Sequence, residues 1–272
     1  MKKIILFVAA LALISLGFTS CEKTSAGKTG IVDYVKLQLV GAQKISLALG
    51  DTYTEPGWTA TDKGKDVHDK VNVAIVDMMG EEVDEITTDM PGIFTITYSA
   101  VSEDGLYIAV ERQILVYDAT LTASIKGAFA VDFAQSQRVD GSRDWTWQEW
   151  SDYYTSDAWA YADYSLTAID INFKELAPGM YEVDDLLGGF YTGLRGYGPV
   201  MEENNGPAYY HYYSMGGMVI LNGDLTLTLV SSHVPAWDDG LTGLEGTFDE
   251  ATGTLDIHSD YGDMDFHVVM KK

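Results

Sequence analysis

The chain has 272 residues, with 17 Lys and Arg against 41 Asp and Glu, and a formal net charge of −24. Such an acidic surface repels phosphate backbones and excludes a nucleic-acid-binding role, which needs basic groups to displace counterions. An apolar content of 46 % excludes wholesale disorder, and the length suits one large or two ordinary domains.

Lys2 and Lys3 open the chain, and Ile4 to Leu16 is apolar except for Ser15. That run is too short to span a bilayer as a mature helix. Gly17-Phe18-Thr19-Ser20 then leads into Cys21, the pattern of a secretory signal whose cleavage site ends at a cysteine. It resembles the bacterial lipoprotein signal. The resemblance implies a signal peptide over residues 1–20 and lipidation of Cys21. The alternative is an ordinary signal in which Cys21 falls by chance. Cys21 is the only cysteine of the chain, so no intramolecular disulfide forms, whereas a diacylated cysteine anchors stably to a membrane. Residues 21–36 are polar, small and glycine-containing, as in a flexible tether. Cys21-Glu22-Lys23 partly resembles the export tag of Bacteroidetes surface lipoproteins, although Thr24-Ser25 departs from its acidic continuation. The expected location is the outer membrane, lipid-anchored and facing outward.

Beyond the tether no stretch keeps helical periodicity over 12 or more residues, roughly three turns. Period-two runs recur instead. Val71, Val73 and Ile75 alternate with Asn72, Ala74 and Val76, and Leu106, Ile108 and Val110 oppose Tyr107, Ala109 and Glu111. Pro56-Gly57, Pro91-Gly92 and Glu103-Asp104-Gly105 supply turns between them. The segment Gly50-Asp51-Thr52-Tyr53-Thr54-Glu55-Pro56-Gly57-Trp58-Thr59-Ala60-Thr61-Asp62 resembles the opening motif of a bacterial immunoglobulin-like domain. The second motif of that family is matched by Pro91 to Ala100, followed by Arg112 to Val116. The resemblance covers residues 37–118 and implies a β-sandwich that acts as a spacer and carries no catalytic group. His68, alone in a polar stretch, reads as a surface residue rather than a ligand.

A composition shift marks a second domain over residues 119–272. Of the six Trp, only Trp58 precedes it. Leu225, Leu227 and Leu229 alternate with Thr226, Thr228 and Val230, and Leu255, Ile257, Phe266 and Val268 close the chain. Short strands at this spacing predict an antiparallel β-sandwich or β-barrel. Trp145 to Tyr164 is the most unusual segment, with aromatic residues at eight of its twenty positions and no basic residue. Tyr209-Tyr210-His211-Tyr212-Tyr213 forms a second cluster, and Trp237 stands beside Pro235 and Asp238-Asp239. Aromatic faces stack on the C–H faces of sugars while nearby carboxylates and amides accept or donate to hydroxyls. The ligand-binding candidates are therefore Trp145, Trp147, Trp150, Trp159, Tyr210, Tyr212 and Trp237. Trp150 and Trp237 are the preferred exposed pair, because both sit in acidic, loop-like contexts. The competing reading assigns these rings to the core, with Trp145 and Trp147 on one face of a strand.

Residues Gly179 to Tyr191, Gly193 to Gly198, Gly246 to Asp249 and the closing strand to Met270 resemble the C-terminal domain of an uncharacterised Bacteroidetes lipoprotein family. Its members pair this domain with the immunoglobulin-like one in starch-utilisation-like clusters for polysaccharide capture and uptake. The resemblance implies a polysaccharide or oligosaccharide ligand. It also implies an outer-membrane glycan transporter and a capture lipoprotein as partners. Gly193 to Gly198 is not a phosphate loop, since the Walker lysine is missing. No HExxH or CxxC exists, so no zinc site is predicted. Asp256, Asp260, Asp263 and Asp265 lack the EF-hand glycine and terminal Glu, which favours a solvated acidic turn over calcium. No catalytic residue, metal or cofactor is assigned. Paired-acid glycosidase chemistry is compatible by residue type alone. The reading is an all-β, non-catalytic surface lipoprotein that binds glycan or serves its uptake, with a protein-binding adhesin or scaffold as the alternative.

Overall fold

The computed structural model describes residues 34–141, 144–154, 168–195 and 209–272, without the side chains of Tyr154, Tyr209 and Tyr210. Cys21, the signal, most of the tether and Trp159 therefore lie outside the described residues, as does the Tyr210 side chain. Among the described residues no helix is long and apolar enough to cross a membrane.

The first part is two facing sheets. Strands β1 (Lys36–Leu39), β3 (Trp58–Asp62) and β4 (Lys65–Asp66) make one, in the order β1-β3-β4. The other contains β2 (Lys44–Ala48), β5 (Asn72–Val76), β6 (Glu82–Val83), β7 (Gly92–Val101) and β8 (Tyr107–Tyr117), ordered β2-β8-β7-β5-β6, with β2 parallel to β8. Alternation decides which face is inward. Phe94, Ile96, Tyr98 and Ala100 of β7 are buried with Ile114 and Val116 of β8, against Leu37 and Ala60 of the smaller sheet. The Gly50–Asp62 motif has a structural task here. Arg112, fully buried, donates from Nη1 to Glu55 Oε1 at 2.9 Å and from Nη2 to the carbonyls of Val40 and Gly57 at 2.7 and 3.2 Å. The phenols of Tyr53 and Tyr98 donate to Glu55 Oε2. Burial and the adjacent carboxylate push the Tyr53 phenol up to about 12, so it remains a donor.

Among the described residues the second part is one ten-stranded antiparallel sheet curled into a half-barrel. Its strands are β9 (Gly127–Val131), β10 (Gln137–Val139), β11 (Asp144–Thr146), β12 (Asp170–Ala177), β13 (Met180–Val183), β14 (Gly216–Leu221), β15 (Leu227–His233), β16 (Gly243–Asp249), β17 (Thr254–Tyr261) and β18 (Met264–Lys271). The main path runs β11-β10-β18-β9-β12-β13-β14-β15, and β17 joins β16 to β18. Curling brings β15 back beside β16, where Thr226 bridges Thr247 and the Phe248 N–H donates to the Leu225 carbonyl at 2.9 Å. The inner face buries Phe129, Ile171, Phe173, Tyr181, Val219, Leu255, Ile257 and Phe266.

Two short helical pieces fill the open side. The helix Trp147–Tyr154 begins with a reciprocal cap. The Thr146 hydroxyl accepts from the Glu149 N–H at 3.1 Å, and Glu149 Oε2 accepts from the Thr146 N–H at 3.0 Å. The expectation that Trp145 and Trp147 share a strand face is thereby corrected, because the strand ends at Thr146. A π-helical turn, Phe190–Leu194, follows Gly188 and Gly189. Both glycines have positive φ, and a Cβ would lie 2.6 Å from Val268 and 2.5 Å from Ile169 respectively. The chain can dive into the half-barrel there only without side chains. The tyrosine cluster begins as a single helical turn, Tyr209–Tyr212.

A third apolar cluster joins the two parts. Ile93 and Leu115, on the outward faces of β7 and β8, are buried with Ala177, Met180 and Ile220 of the half-barrel, flanked by Tyr117, Leu176 and Met218.

Candidate ligand-binding rim

Trp237 stands in the loop between β15 and β16. The loop is held by backbone bonds from Val234 N–H to the Asp239 carbonyl at 2.8 Å and from Asp238 N–H to the Val234 carbonyl at 3.0 Å. Asp238 takes φ 55 to close the turn, a conformation that aspartate tolerates. The Ala236 N–H donates to the Tyr212 carbonyl at 2.8 Å, tying the loop to the helix Tyr209–Tyr212. The Trp237 indole stays 42 % exposed. Tyrosine rings pack around it, Tyr191 at 4.9 Å, Tyr213 at 5.7 Å and Tyr261 at 6.1 Å between centroids. Tyr212 is 46 % exposed and meets Tyr213 edge-on at 5.3 Å. Tyr261 donates from its phenol to Asp239 Oδ1 at 2.8 Å. Burial, reinforced by that carboxylate, drives the Tyr261 phenol well above its ordinary range, so it stays a neutral donor. The result is an aromatic rim of Trp237, Tyr212, Tyr213 and Tyr261 edged by Asp238 and Asp239.

The rim continues inward. Tyr191 contacts Phe190 at 5.0 Å, and Phe190 contacts Trp147 at 5.3 Å and Phe266 at 5.2 Å. Here two candidates are corrected. Trp147 is fully buried and spends its indole N–H on the Gly188 carbonyl at 2.8 Å. Trp150, expected to be exposed, is only 8 % accessible, because the helix turns it between Trp145 at 4.7 Å and Phe190 at 5.2 Å. The Arg138 guanidinium lies over it at 5.7 Å. Trp145 is half-buried against Trp150 and Tyr153. The structure thus separates the Trp145–Trp150 segment, largely structural, from Trp237 and Tyr212, which face solvent. Tyr213, Tyr261 and Tyr191 were not among the sequence candidates. Tyr213 was signalled by its place in the tyrosine run, while Tyr261 reaches the rim only through the pairing of β17.

A groove of about 1040 Å³ runs beside the rim, between Lys44 of β2 and the outer face of β12 to β14. Asn172, Lys174, Glu182, Asp184, His211 and His233 line it. Lys174 pairs with Glu182 at 2.7 Å, so charge in the groove is partly neutralised. His233 Nε2 lies 3.1 Å from Asp238 Oδ1, and His211 precedes Tyr212, so the groove wall abuts the rim. Asp184 accepts from the Asn172 N–H at 2.9 Å, and burial raises its carboxyl above the usual range. Asp185 points the other way, into the core. It accepts from the N–H groups of Leu187 and Met215 at 2.9 and 3.3 Å and from the Thr192 hydroxyl at 3.0 Å. Burial pushes its carboxyl up to about 6. The adjacent carboxylates Asp184 and Asp185 therefore do not converge on one ligand.

Residues 118–272 match a family of C-terminal domains. The chain belongs to that family. Residues 37–116 match the Ig-like domain of bacterial surface proteins. The crystal structure of a lipoprotein from Bacteroides thetaiotaomicron is similar, at 27% identity and a TM-score of 0.41, over 88% of this chain and 100% of that one. Among curated proteins no relative matches. The two matches fall in the order seen in the structure, an Ig-like domain followed by the half-barrel domain that carries the rim.

Proposed function

We propose that the protein is a non-catalytic, lipid-anchored surface protein that binds glycan on the rim and the adjoining groove. The observation that carries this reading is Trp237, an exposed indole fixed by a hydrogen-bonded turn and braced by three tyrosines. A ring already held in place loses little entropy when a sugar stacks on it. Asp238 and Asp239 supply acceptors for hydroxyls at the edge of that platform, and the Tyr261 oxygen, whose O–H is spent on Asp239, is a further acceptor. The groove offers room for further sugar units, with polar side chains along its wall. Anchoring through Cys21 at the outer membrane would set the rim toward the medium, with the Ig-like domain as spacer. An outer-membrane transporter and a capture lipoprotein are the partners this placement suits.

Screening the mature protein against immobilised polysaccharides tests the reading. Retention by at least one glycan, with no released product after prolonged incubation, is the expected outcome. Released oligosaccharides would overturn the non-catalytic part. Absence of retention by any glycan would overturn the binding part and favour a protein ligand.

A further inference from the structure

Strands β17 and β18 place two histidines directly opposite each other on the outer face of the half-barrel, His258 on β17 and His267 on β18. Their rings stack with centroids 4.2 Å apart and planes 5° from parallel. Each imidazole is held by a carboxylate from the other strand. His258 Nδ1 lies 3.1 Å from Asp265 Oδ2, and His267 Nε2 lies 2.8 Å from Asp256 Oδ1. Alternation explains the arrangement. Leu255, Ile257 and Ser259 face inward and are buried, which turns Asp256 and His258 outward. Glu245 of β16 pairs with His258 from its other side, adding a further exposed carboxylate to the row.

We propose that Asp256, His258 and His267 form a binding site for a first-row divalent transition-metal cation, with Zn²⁺ as the representative. One ligand atom from each of the three lies within 4.8 Å of the others. Zinc takes imidazole nitrogen and carboxylate oxygen at about 2.0–2.2 Å, which spaces ligands roughly 3–4 Å apart. Small side-chain rotations therefore close the triad on a cation. Two imidazoles and one carboxylate suit zinc, copper, nickel or cobalt better than calcium or magnesium, which prefer all-oxygen sets. Asp265 supplies the supporting contact. A carboxylate on one nitrogen of a metal-bound imidazole fixes the ring and raises the basicity of the other nitrogen. With Asp265 on Nδ1, the Nε2 of His258 is the nitrogen left to serve as ligand. The acidic surroundings favour a cation in any case. The site is separate from the aromatic rim and its argument does not depend on the glycan reading.

Sequence patterns hide this site. The two histidines are nine positions apart across a hairpin, outside the HExxH and CxxC spacings. Asp256 and Asp265, considered for calcium in sequence, instead flank the histidine pair from opposite strands, and Asp263 sits in the hairpin turn.

Calorimetric titration of the mature protein with zinc chloride alone tests the proposal, with cobalt chloride followed by its visible absorption as a second readout. One saturable site is expected. His267→Gln and Asp256→Asn should each weaken binding at least ten-fold, and His233→Gln should not change it. All three are surface or half-buried positions, and an unchanged circular dichroism melt checks that the variants fold. Absence of saturable binding at millimolar zinc, or equal binding by wild type and His267→Gln, would overturn the proposal.

Discussion

Asp185 carries an unfavourable charge at neutral pH. Its carboxylate is satisfied by three donors, yet desolvation outweighs them and pushes it up to about 6 from 3.8. A folded-state value above the unfolded one contributes stability that is complete below the unfolded value and is lost as pH rises through the folded one. The relevant window is therefore about pH 4 to 6. At 1.36 kcal/mol per unit, this one group changes stability by about 3 kcal/mol across it. Asp185→Asn keeps the acceptor for Leu187 and Met215 without the charge. Urea unfolding at about pH 4 and about pH 7 should show that the difference between wild type and variant shifts by roughly this amount. An identical pH response in both proteins would place the desolvation elsewhere. Nothing in the sequence set Asp185 apart from the other forty acidic residues, since adjacent Asp184 faces the groove instead. Burial is a property of the closed half-barrel and has no local pattern.

At the scale of elements, the Gly50–Asp62 motif was legible and its physics is now explicit. Glu55 and Arg112 come from distant segments and lock the loop before β3 to β8. Burial by itself would raise Glu55. Hydrogen bonds from Tyr53, Tyr98 and the Gly57 N–H, with the charge of Arg112, prevail and hold it below the usual range. Removing the cation leaves Glu55 without its counter-charge and the Val40 carbonyl without the guanidinium donor, while the tyrosines and the Gly57 N–H still bond Glu55 and the Val40 N–H still bonds the Gly57 carbonyl. Arg112→Met should therefore cost about 3 kcal/mol in chemical denaturation, the range for breaking one half of a buried pair. A loss within error of zero would contradict the structural role given to the motif. Strand positions were equally legible where one face meets water, as at Tyr107, Ala109 and Glu111, all exposed opposite Ile108 and Val110. Helical pieces were not, because each is only one or two turns long and too short to show a period. Thr146-Trp147-Gln148-Glu149 did carry a capping-box signature, which marks the start of the helix Trp147–Tyr154 and the inward turn of Trp147 and Trp150.

The whole molecule is joined by the cluster of Ile93, Leu115, Ala177, Met180 and Ile220, which no local reading of either domain required. A buried apolar contact between domains favours their unfolding together. Leu115 faces the half-barrel, while its neighbours Ile114 and Val116 face the sandwich core. Leu115→Asn should split a single calorimetric transition into two and lower the first by roughly 2–4 kcal/mol of stability. An unchanged, single transition would mean that the domains are energetically independent. The net charge of −24, which excluded nucleic acid at the outset, is read as solubility for an exposed surface protein. The central claim concerns the small part of that surface where aromatic rings replace charge. Affinity electrophoresis in a gel containing the retained glycan tests it most directly. Trp237→Ala should lose retention, with at least a ten-fold weaker dissociation constant and an unchanged melting temperature, while Tyr107→Ala, an exposed aromatic on the Ig-like domain, migrates like wild type. Equal retention of Trp237→Ala and wild type would contradict the account.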